Sequence, residues 1–218
     1  MDNLRKRNYR IKYFFAFIFL LMLIILVNSI SYSEEVISDI SKNILRLHVI
    51  ANSNNSEDQN VKFKVRDKVL EYMTDISKDC TSKTEAIKIL EDNLDNIEDI
   101  VIKTLRQNNF NYNVKLEIGN FDFPTKVYGD ISLPSGYYDA LRIIIGEGKG
   151  ENWWCVMFPP LCFVDVSSGI VPDESKGLLE DNISNEGYSL ISDKSDDIKI
   201  KFKIVEFIEN GKIKMKKN

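Results

Sequence analysis

The stretch between Leu141 and Phe158 constrains the fold of this chain more than any other part. Leu141 to Ile145 is an apolar run rich in β-branched residues, and Trp153 to Phe158 is a second run rich in aromatic residues; both compositions are typical of strands. The segment from Gly146 to Asn152 contains three glycines, so the pattern predicts a hairpin. Because tryptophan and phenylalanine bury large apolar areas, we expect both strands to be central.

Adjacent tryptophans make this stretch a candidate interaction surface. Successive side chains of a strand point to opposite faces, so Trp153 and Trp154 cannot both enter one core. The second ring is either covered by another part of the chain or left open, and an open tryptophan is a frequent centre of protein contacts. The candidate interaction residues are the two tryptophans and the polar side chains before them: Glu147, Lys149, Glu151 and Asn152.

Another strand is predicted nearer the N-terminus. Leu45, Leu47 and Val49 alternate with Arg46 and His48, and this period of two is typical of a half-buried strand. We expect the aliphatic side chains to enter the core and the two basic residues to lie on the open polar side. Arg46 and His48 therefore form a second candidate interaction patch.

Two long amphipathic helices are predicted after this strand. Ser56 and Gln59 form a capping box for the first helix, whose apolar stripe runs from Val61 to Ile76. The second helix is predicted from Thr84 to about Gln107, with Ser82 as its cap. The polar residues of the first helix are interpreted as solvated, including Asp58, Arg66 and Asp67.

Strands dominate the rest of the chain. Tyr112 to Ile118 alternates clearly, and Val127 to Leu133 is a further strand that ends at a Pro-Ser-Gly turn. Ile198 to Ile204 also alternates, whereas Val205 to Ile208 suits a helical turn equally well. This order predicts an α+β fold in which two long amphipathic helices pack on one face of a mostly antiparallel sheet.

The N-terminus has the order of an export signal. Basic residues between Arg5 and Lys12 precede an uncharged apolar run from Tyr13 to Val27. The run is shorter than the roughly 20 residues of a typical transmembrane helix, so residues 1–29 are either a cleaved signal peptide or an uncleaved membrane anchor. Residues 30–43 are predicted to be a polar tether. Residues 44–218 are predicted to be a single exported α+β domain, because the basic flank stays in the cytoplasm.

Charge and glycine spacing exclude several classes of ligand. The formal net charge is −4, and loss of the basic leader makes the exported part more acidic, so we expect no nucleic-acid partner and membrane contact only through the N-terminal segment. The glycines of Gly146 to Gly150 lack the Gly-Lys-Ser/Thr ending of a phosphate-binding loop and lead into a strand. We therefore expect neither nucleotide nor cofactor, and predict proteins or small molecules as partners.

The three cysteines are too few for a disulfide framework and wrongly spaced for a zinc site. Cys155 and Cys162 are the only local pair, and the proline pair between them can turn the chain back. In an exported protein they can form a disulfide, and two reduced core cysteines are the alternative. Cys80 is expected to be unpaired.

Catalytic residues are not evident in the sequence. His48 is the only histidine, and the alternative function is a small extracytoplasmic hydrolase that pairs it with Cys155 or Cys162. That function requires His48 within hydrogen-bond reach of one of the two sulfurs in an open cleft. We instead expect His48 to be a surface or hydrogen-bonded residue, the chain to have no metal site, and the protein not to be an enzyme.

Three blocks of the sequence resemble one known family. The first block, which ends at Asp165, is similar to the signature of the stage II sporulation protein R family and reads RIIIGEGKGENWWCVMFPPLCFVD. The second block starts at Leu45, is similar to the N-terminal block of that family and reads LRLHVIANSNNSEDQNVKFKVRDKVLEYM. The third block starts at Tyr128, leads into the signature and reads YGDISLPSGYYDALRI. The blocks follow one another in the order of the family.

The resemblance implies a secreted signal rather than an enzyme. It implies synthesis in the forespore and export into the space between the forespore and mother-cell membranes. It also implies a partner, a membrane-embedded aspartic peptidase of the mother cell, which the signal activates and which then processes the precursor of sigma factor E. Composition and periodicity alone lead only to an exported α+β domain.

Overall fold

The computed structural model describes residues 2–162 and 171–192. The chain divides into two compact units, residues 1–38 and 39–218. Helix α1 spans Asp2–Asn43 and so includes the predicted tether, and its described large apolar side chains from Tyr13 to Val27 are exposed. No helix within the described ranges is long and apolar enough to cross a membrane. The assignment of residues 1–29 as a signal peptide or an anchor stays a prediction.

The second unit has an α+β fold, as predicted. Its central sheet contains four strands: β1 (Leu45–Ile50), β2 (Val114–Phe123), β5 (Gly136–Ile145) and β6 (Asn152–Phe158). Their order in the sheet is β2-β5-β1-β6. Strand β1 pairs in parallel with β5, whereas β2 with β5 and β1 with β6 are antiparallel pairs, so the sheet is mostly antiparallel.

The single strand expected between Val127 and Leu133 is instead a small separate hairpin. It consists of β3 (Lys126–Tyr128) and β4 (Ile131–Leu133), which pair antiparallel. Gly129 between them has a φ of 59°, a value that glycine adopts without steric cost. The turn therefore interrupts what the alternation predicted as one strand.

The helices of the second unit begin close to their predicted positions, but one prediction is wrong. The helix expected from Thr84 to Gln107 is divided at Asn93, whose side-chain amide donates a hydrogen bond to the carbonyl of Ile89 (2.8 Å) and whose amide oxygen accepts one from Tyr72 (2.7 Å). Asparagine favours such breaks because its side chain competes for backbone hydrogen bonds. The described helices after α1 are α2 (Ser56–Ile76), α3 (Lys83–Asp92), α4 (Leu94–Gln107), α5 (Asp173–Asn182) and α6 (Asn185–Ser192).

One face of the sheet, which we call the helix face, forms the main apolar core. Leu45, Leu47 and Val49 of β1 are fully buried there. They belong to one cluster with aliphatic residues of β5 and of helices α2, α3 and α4, including Val61, Val65, Val69, Leu90, Ile97, Val101 and Leu105. The apolar positions that recur at helical spacing in the helices and at every second residue in the strands are buried together in this core. Their burial stabilises these helices and strands.

The predicted hairpin of the tryptophan-rich stretch is wrong. Strand β1 lies between β5 and β6, so the segment from Gly146 to Glu151 crosses the end of β1 instead of joining neighbouring strands. The backbone N–H groups of Lys149 and Gly150 donate to the carbonyls of Asn52 and Ala51 (3.1 and 2.9 Å). These long-range partners were not visible in the local pattern. The expected centrality of the strands holds for β5, whereas β6 is an edge strand of the described sheet. The predicted C-terminal strand at residues 198–204 lies outside the described residues.

Candidate interaction site

The opposite side of the sheet, which we call the second face, carries a buried layer of polar and aromatic side chains. Arg46 is 0% exposed and His48 is 5% exposed. The prediction that both residues lie on an open polar side is therefore wrong. Rings from β2, β3, β5 and β6 cover this face, and they are contributed by Phe123, Tyr128, Tyr138 and Trp154.

Among the described residues, Arg46 is held by aromatic rings and forms no ion pair with a carboxylate. Its guanidinium carbon lies 4.2 Å from the centre of the Phe123 ring and 4.9 Å from that of Tyr138. Its Nη2 atom donates to the hydroxyl of Tyr128 at 2.7 Å, and that hydroxyl donates to the carbonyl of Trp154 at 3.1 Å. Burial raises the pKa of Tyr128, which keeps its proton available for the second bond. Contacts between cations and π faces replace an ion pair here.

His48 is a buried neutral histidine. Its Nε2 atom lies 2.7 Å from Oδ1 of Asn152, and because an amide oxygen only accepts, Nε2 carries the proton. The ring stacks on Trp154 with centres 3.7 Å apart. Burial is the main cause that lowers the pKa of His48 to about 4; the cations Arg142 and Arg46 also lower it, while the hydrogen bond to Asn152 opposes them. His48 is thus an uncharged connector between β1 and β6.

Arg142 extends the same layer towards the sheet edge. It lies opposite His48 in the parallel β1–β5 pairing and opposite Glu117 in the β2–β5 pairing. Its Nε atom donates to Glu117 at 2.7 Å, and its guanidinium stacks on the ring of Phe121 at 4.0 Å. Hydrogen bonds from Lys115 and Arg142 lower the pKa of Glu117. The second face therefore holds two arginines, each packed on an aromatic ring.

Trp153 belongs to the other side of the sheet, as the prediction of opposite faces requires. Its ring packs edge-on against Phe63 of α2, with centres 5.3 Å apart, and the guanidinium of Arg66 covers it at 4.2 Å. The prediction that Arg66 is simply solvated is therefore wrong. The two tryptophans are both half-buried and contact different elements. They do not form one patch.

The glycine-containing loop is docked rather than projecting. The N–H groups of Glu147 and Glu151 donate to the side-chain oxygens of Asn52 (2.9 Å) and Asn54 (2.7 Å). The side chains of Glu147 and Lys149 are exposed and pair with each other at 2.7 Å. The loop thus offers exposed charges on a backbone fixed by the turn after β1.

Asp58 anchors that turn, so the prediction that it is solvated is wrong. It is 1% exposed and accepts hydrogen bonds from Asn52 (2.9 Å), Ser53 (2.6 Å) and Tyr112 (2.9 Å). Burial alone would raise the pKa of Asp58, but these hydrogen bonds together lower it. The helix cap is Asn55 rather than the predicted Ser56, since the Asn55 side chain accepts from the Asp58 N–H. The sequence did contain a signal for this role, because Asp58 follows closely on the polar turn from Asn52 to Asn55.

The cysteines do not form a catalytic pair with His48. A disulfide joins Cys155 to Cys162, with Cα atoms 5.6 Å apart, and Cys80 is free and buried. Cys155 lies opposite Leu47 in the register of β1 and β6, whereas His48 lies opposite Trp154, so the thiol and imidazole positions point to opposite faces. The arrangement required by the hydrolase alternative is absent between these residues. Within the described ranges, no cluster of three His, Cys, Asp or Glu residues could hold a metal ion.

Comparisons with known proteins agree with the three sequence blocks. The profile of the stage II sporulation protein R family matches residues 41–168, which contain β1 to β6 and the disulfide. The chain is 35% identical over 179 residues to stage II sporulation protein R of Bacillus subtilis (strain 168), covering 76% of this chain and 80% of that protein. No solved structure matches the chain. The matched region contains the central sheet, the buried Arg46 and His48, and the docked loop. The chain therefore belongs to the stage II sporulation protein R family.

Proposed function

We propose that this protein is an exported sporulation signal that activates the membrane-embedded aspartic peptidase responsible for processing the sigma factor E precursor. Membership of the stage II sporulation protein R family is the observation that carries the proposal. Under this proposal the protein is made in the forespore and acts in the space between the forespore and mother-cell membranes. The basic and apolar order of residues 5–27 supports export.

The signal acts by binding and not by chemistry. A ligand shifts an equilibrium between two states of its receptor only through a difference in affinity for them. The protein therefore binds the active arrangement of the peptidase more tightly than the inactive one. The docked loop between β5 and β6 supports this role, because exposed charges on a fixed backbone lose little conformational entropy on binding.

The geometry does not support the hydrolase alternative. Its nucleophile would have to be Cys155 or Cys162, and these residues are joined to each other. Its base would have to be His48, whose Nε2 is engaged with Asn152 and whose ring is stacked on Trp154. Neither group is poised to react with a substrate.

Reconstitution in a non-sporulating host tests the proposal. The full chain, the peptidase and the sigma factor E precursor are co-expressed, and precursor cleavage is followed by immunoblot with and without this protein. We expect cleavage only when all three are present and the chain is exported. Cleavage that is equally fast without this protein, or that occurs when residues 1–29 are deleted and the chain stays in the cytoplasm, would contradict the proposal.

His48→Ala and the Cys155→Ser, Cys162→Ser double variant separate signalling from hydrolysis. Neither variant replaces an exposed side chain of the loop, so each should retain cleavage in proportion to the amount of folded exported protein. Loss of cleavage at normal abundance of folded His48→Ala protein would favour the enzyme.

A further inference from the structure

Within residues 2–162 and 171–192, strand β2 forms an open edge of the central sheet. It is ten residues long, and β5 is its only partner among the strands of the described ranges. The N–H of Gly146 donates to the carbonyl of Asn113 (2.8 Å), and the register continues without interruption from there. Hydrogen-bonded pairs alternate along antiparallel strands. The backbone groups of Val114, Leu116 and Ile118 therefore point away from β5, towards the edge.

The same three residues leave apolar surface uncovered. Their side chains pack against the core of the helix face but are only partly buried. Beside Val114, at the start of β2, α4 and the segment leading into β2 enclose a depression of about 340 Å³, whose apolar lining includes Ile102, Leu105 and Phe110. A depression of this size admits one or two large side chains. An edge strand beside a partly apolar groove is the arrangement that binds extended peptides by adding a strand.

Charges at the two ends of the groove define its occupant further. Glu98 and Arg106 both line the depression, and neither forms an ion pair with a residue in the described part of the chain. Eight helical residues separate them, which is about 12 Å along the axis. Four residues of an extended strand span about 13 Å. A basic and an acidic residue four positions apart, with an aliphatic residue between them, would therefore meet both ends and fill the middle.

We propose that the edge of β2 and the adjoining groove of α4 bind an extended segment of the partner protein as an additional strand. The segment carries an aliphatic residue flanked two positions away by residues of opposite charge. The inference rests on the proposed function, so the segment belongs to the part of the peptidase outside the cytoplasm. A second copy of this chain fits less well, because the helix-face side chains of its β2 already pack in its own core and cannot fill the groove.

Acidic substitutions in the groove, assayed in the reconstituted system, test the proposal. Ile102→Glu and Arg106→Glu alter its lining, and Lys88→Glu on the exposed surface of α3 is the matched control. We expect both groove variants to lower precursor cleavage at least tenfold at normal abundance and unchanged unfolding temperature, with the control unaffected. Groove variants that support wild-type cleavage would overturn the proposal. If the wild-type chain itself fails to trigger cleavage, the proposed function fails, and the outcome is distinct.

Hydrogen exchange reports strand addition directly. When detergent-solubilised peptidase is added to the full chain, the backbone amides of Leu116 and Ile118 should exchange at least tenfold more slowly. Those of Lys115 and Glu117, which already pair with β5, should change little. Binding without protection at Leu116 and Ile118 would overturn the proposal. Protection without the peptidase, together with a doubled mass in solution, would assign the edge to a second copy and overturn the chosen occupant.

Discussion

The two faces of the central sheet are both buried at β1, but by different means. On the helix face, Leu45, Leu47 and Val49 contact aliphatic side chains of the helices. On the second face, Arg46 and His48 of the same strand are buried among rings and hydrogen bonds. The alternation of apolar and basic residues in β1 therefore separates two kinds of interior and does not separate inside from outside.

This difference matters for how tolerant each face is. Aliphatic contacts contribute roughly in proportion to the area they bury and accept substitutes of similar volume. The free energy of a buried cation depends on the position of each ring and hydrogen-bond acceptor around it. The second face should consequently be the more sensitive of the two to a change of charge and less sensitive to loss of a methylene group.

The largest expected effect is that of reversing the charge of Arg46. Arg46→Glu places a carboxylate against the π faces of Phe123 and Tyr138 and should lower the unfolding free energy by about 3–5 kcal/mol. Leu47→Ala, the neighbouring change on the helix face, should cost about 2–5 kcal/mol. Arg46→Met keeps the volume and should cost under about 1.5 kcal/mol. Urea denaturation measures all three. An Arg46→Met variant as unstable as Arg46→Glu would show that the bond to Tyr128 outweighs packing.

The second largest effect is the pH dependence that His48 confers on the second face. Its pKa is about 4 in the folded protein against an ordinary 6.5, so the unfolded chain takes up the proton first as the pH falls. The unfolding free energy should therefore drop by up to about 3 kcal/mol between pH 6.5 and 4. Below pH 4, His48 should cause no further decrease.

His48→Gln is the control for this slope, because it cannot be protonated. As the only histidine, His48 also gives a single imidazole signal in an NMR titration. A midpoint near 6.5 would place the ring in water and remove the distinction between the two faces.

The disulfide should have the next largest effect, and it acts at the end of β6 where the chain leaves the sheet. Cys155 and Cys162 are seven positions apart, and closing a loop of that length contributes about 2.5 kcal/mol in the chain-entropy model. The Cys155→Ser, Cys162→Ser variant should lose about that amount in urea denaturation. An unchanged midpoint, with two free thiols detected in the native wild-type protein, would instead support the reduced alternative.

The smallest effect is expected for the exposed charges of the loop between β5 and β6. Glu147→Ala with Lys149→Ala removes a solvent-exposed ion pair, and such pairs contribute little to stability, so the unfolding temperature should not change measurably. Asn52→Ala is the informative comparison, because it removes the acceptor of the Glu147 N–H and a donor to Asp58. It should destabilise by about 1–3 kcal/mol. Equal effects of the two variants would mean that the loop is not held by its backbone.

The helix face was largely predictable from sequence, because its periodicities are local. The stripe of α2 and the alternation of β1 and β2 each predicted the correct side chains for the core. The break at Asn93 was missed, since only the side-chain hydrogen bond to Ile89 is local, whereas the one from Tyr72 comes from 21 positions away.

The second face and the strand order could not be read in the same way. Burial of Arg46 depends on Phe123 and Tyr128, which lie far away in sequence, and alternation assigns a basic residue to solvent by default. The hairpin prediction failed because glycines indicate a turn without indicating what the turn crosses. The resemblance, which covers most of the sheet, identified the family, and no single candidate residue indicated it.

The insertion of β1 between β5 and β6 has a consequence for how the chain reaches its native state. Arg46 and Cys155 are adjacent across the sheet but 109 positions apart in sequence. Sheets whose central strand pairs with such distant partners fold slowly, because a large loop must close before the pairing is rewarded. If the chain leaves the cytoplasm N-terminus first, β1 emerges long before either neighbour. Under the proposed export, the sheet can close only after β6, which ends at Phe158 of 218 residues, has crossed the membrane, so export that is interrupted before that point releases no folded domain.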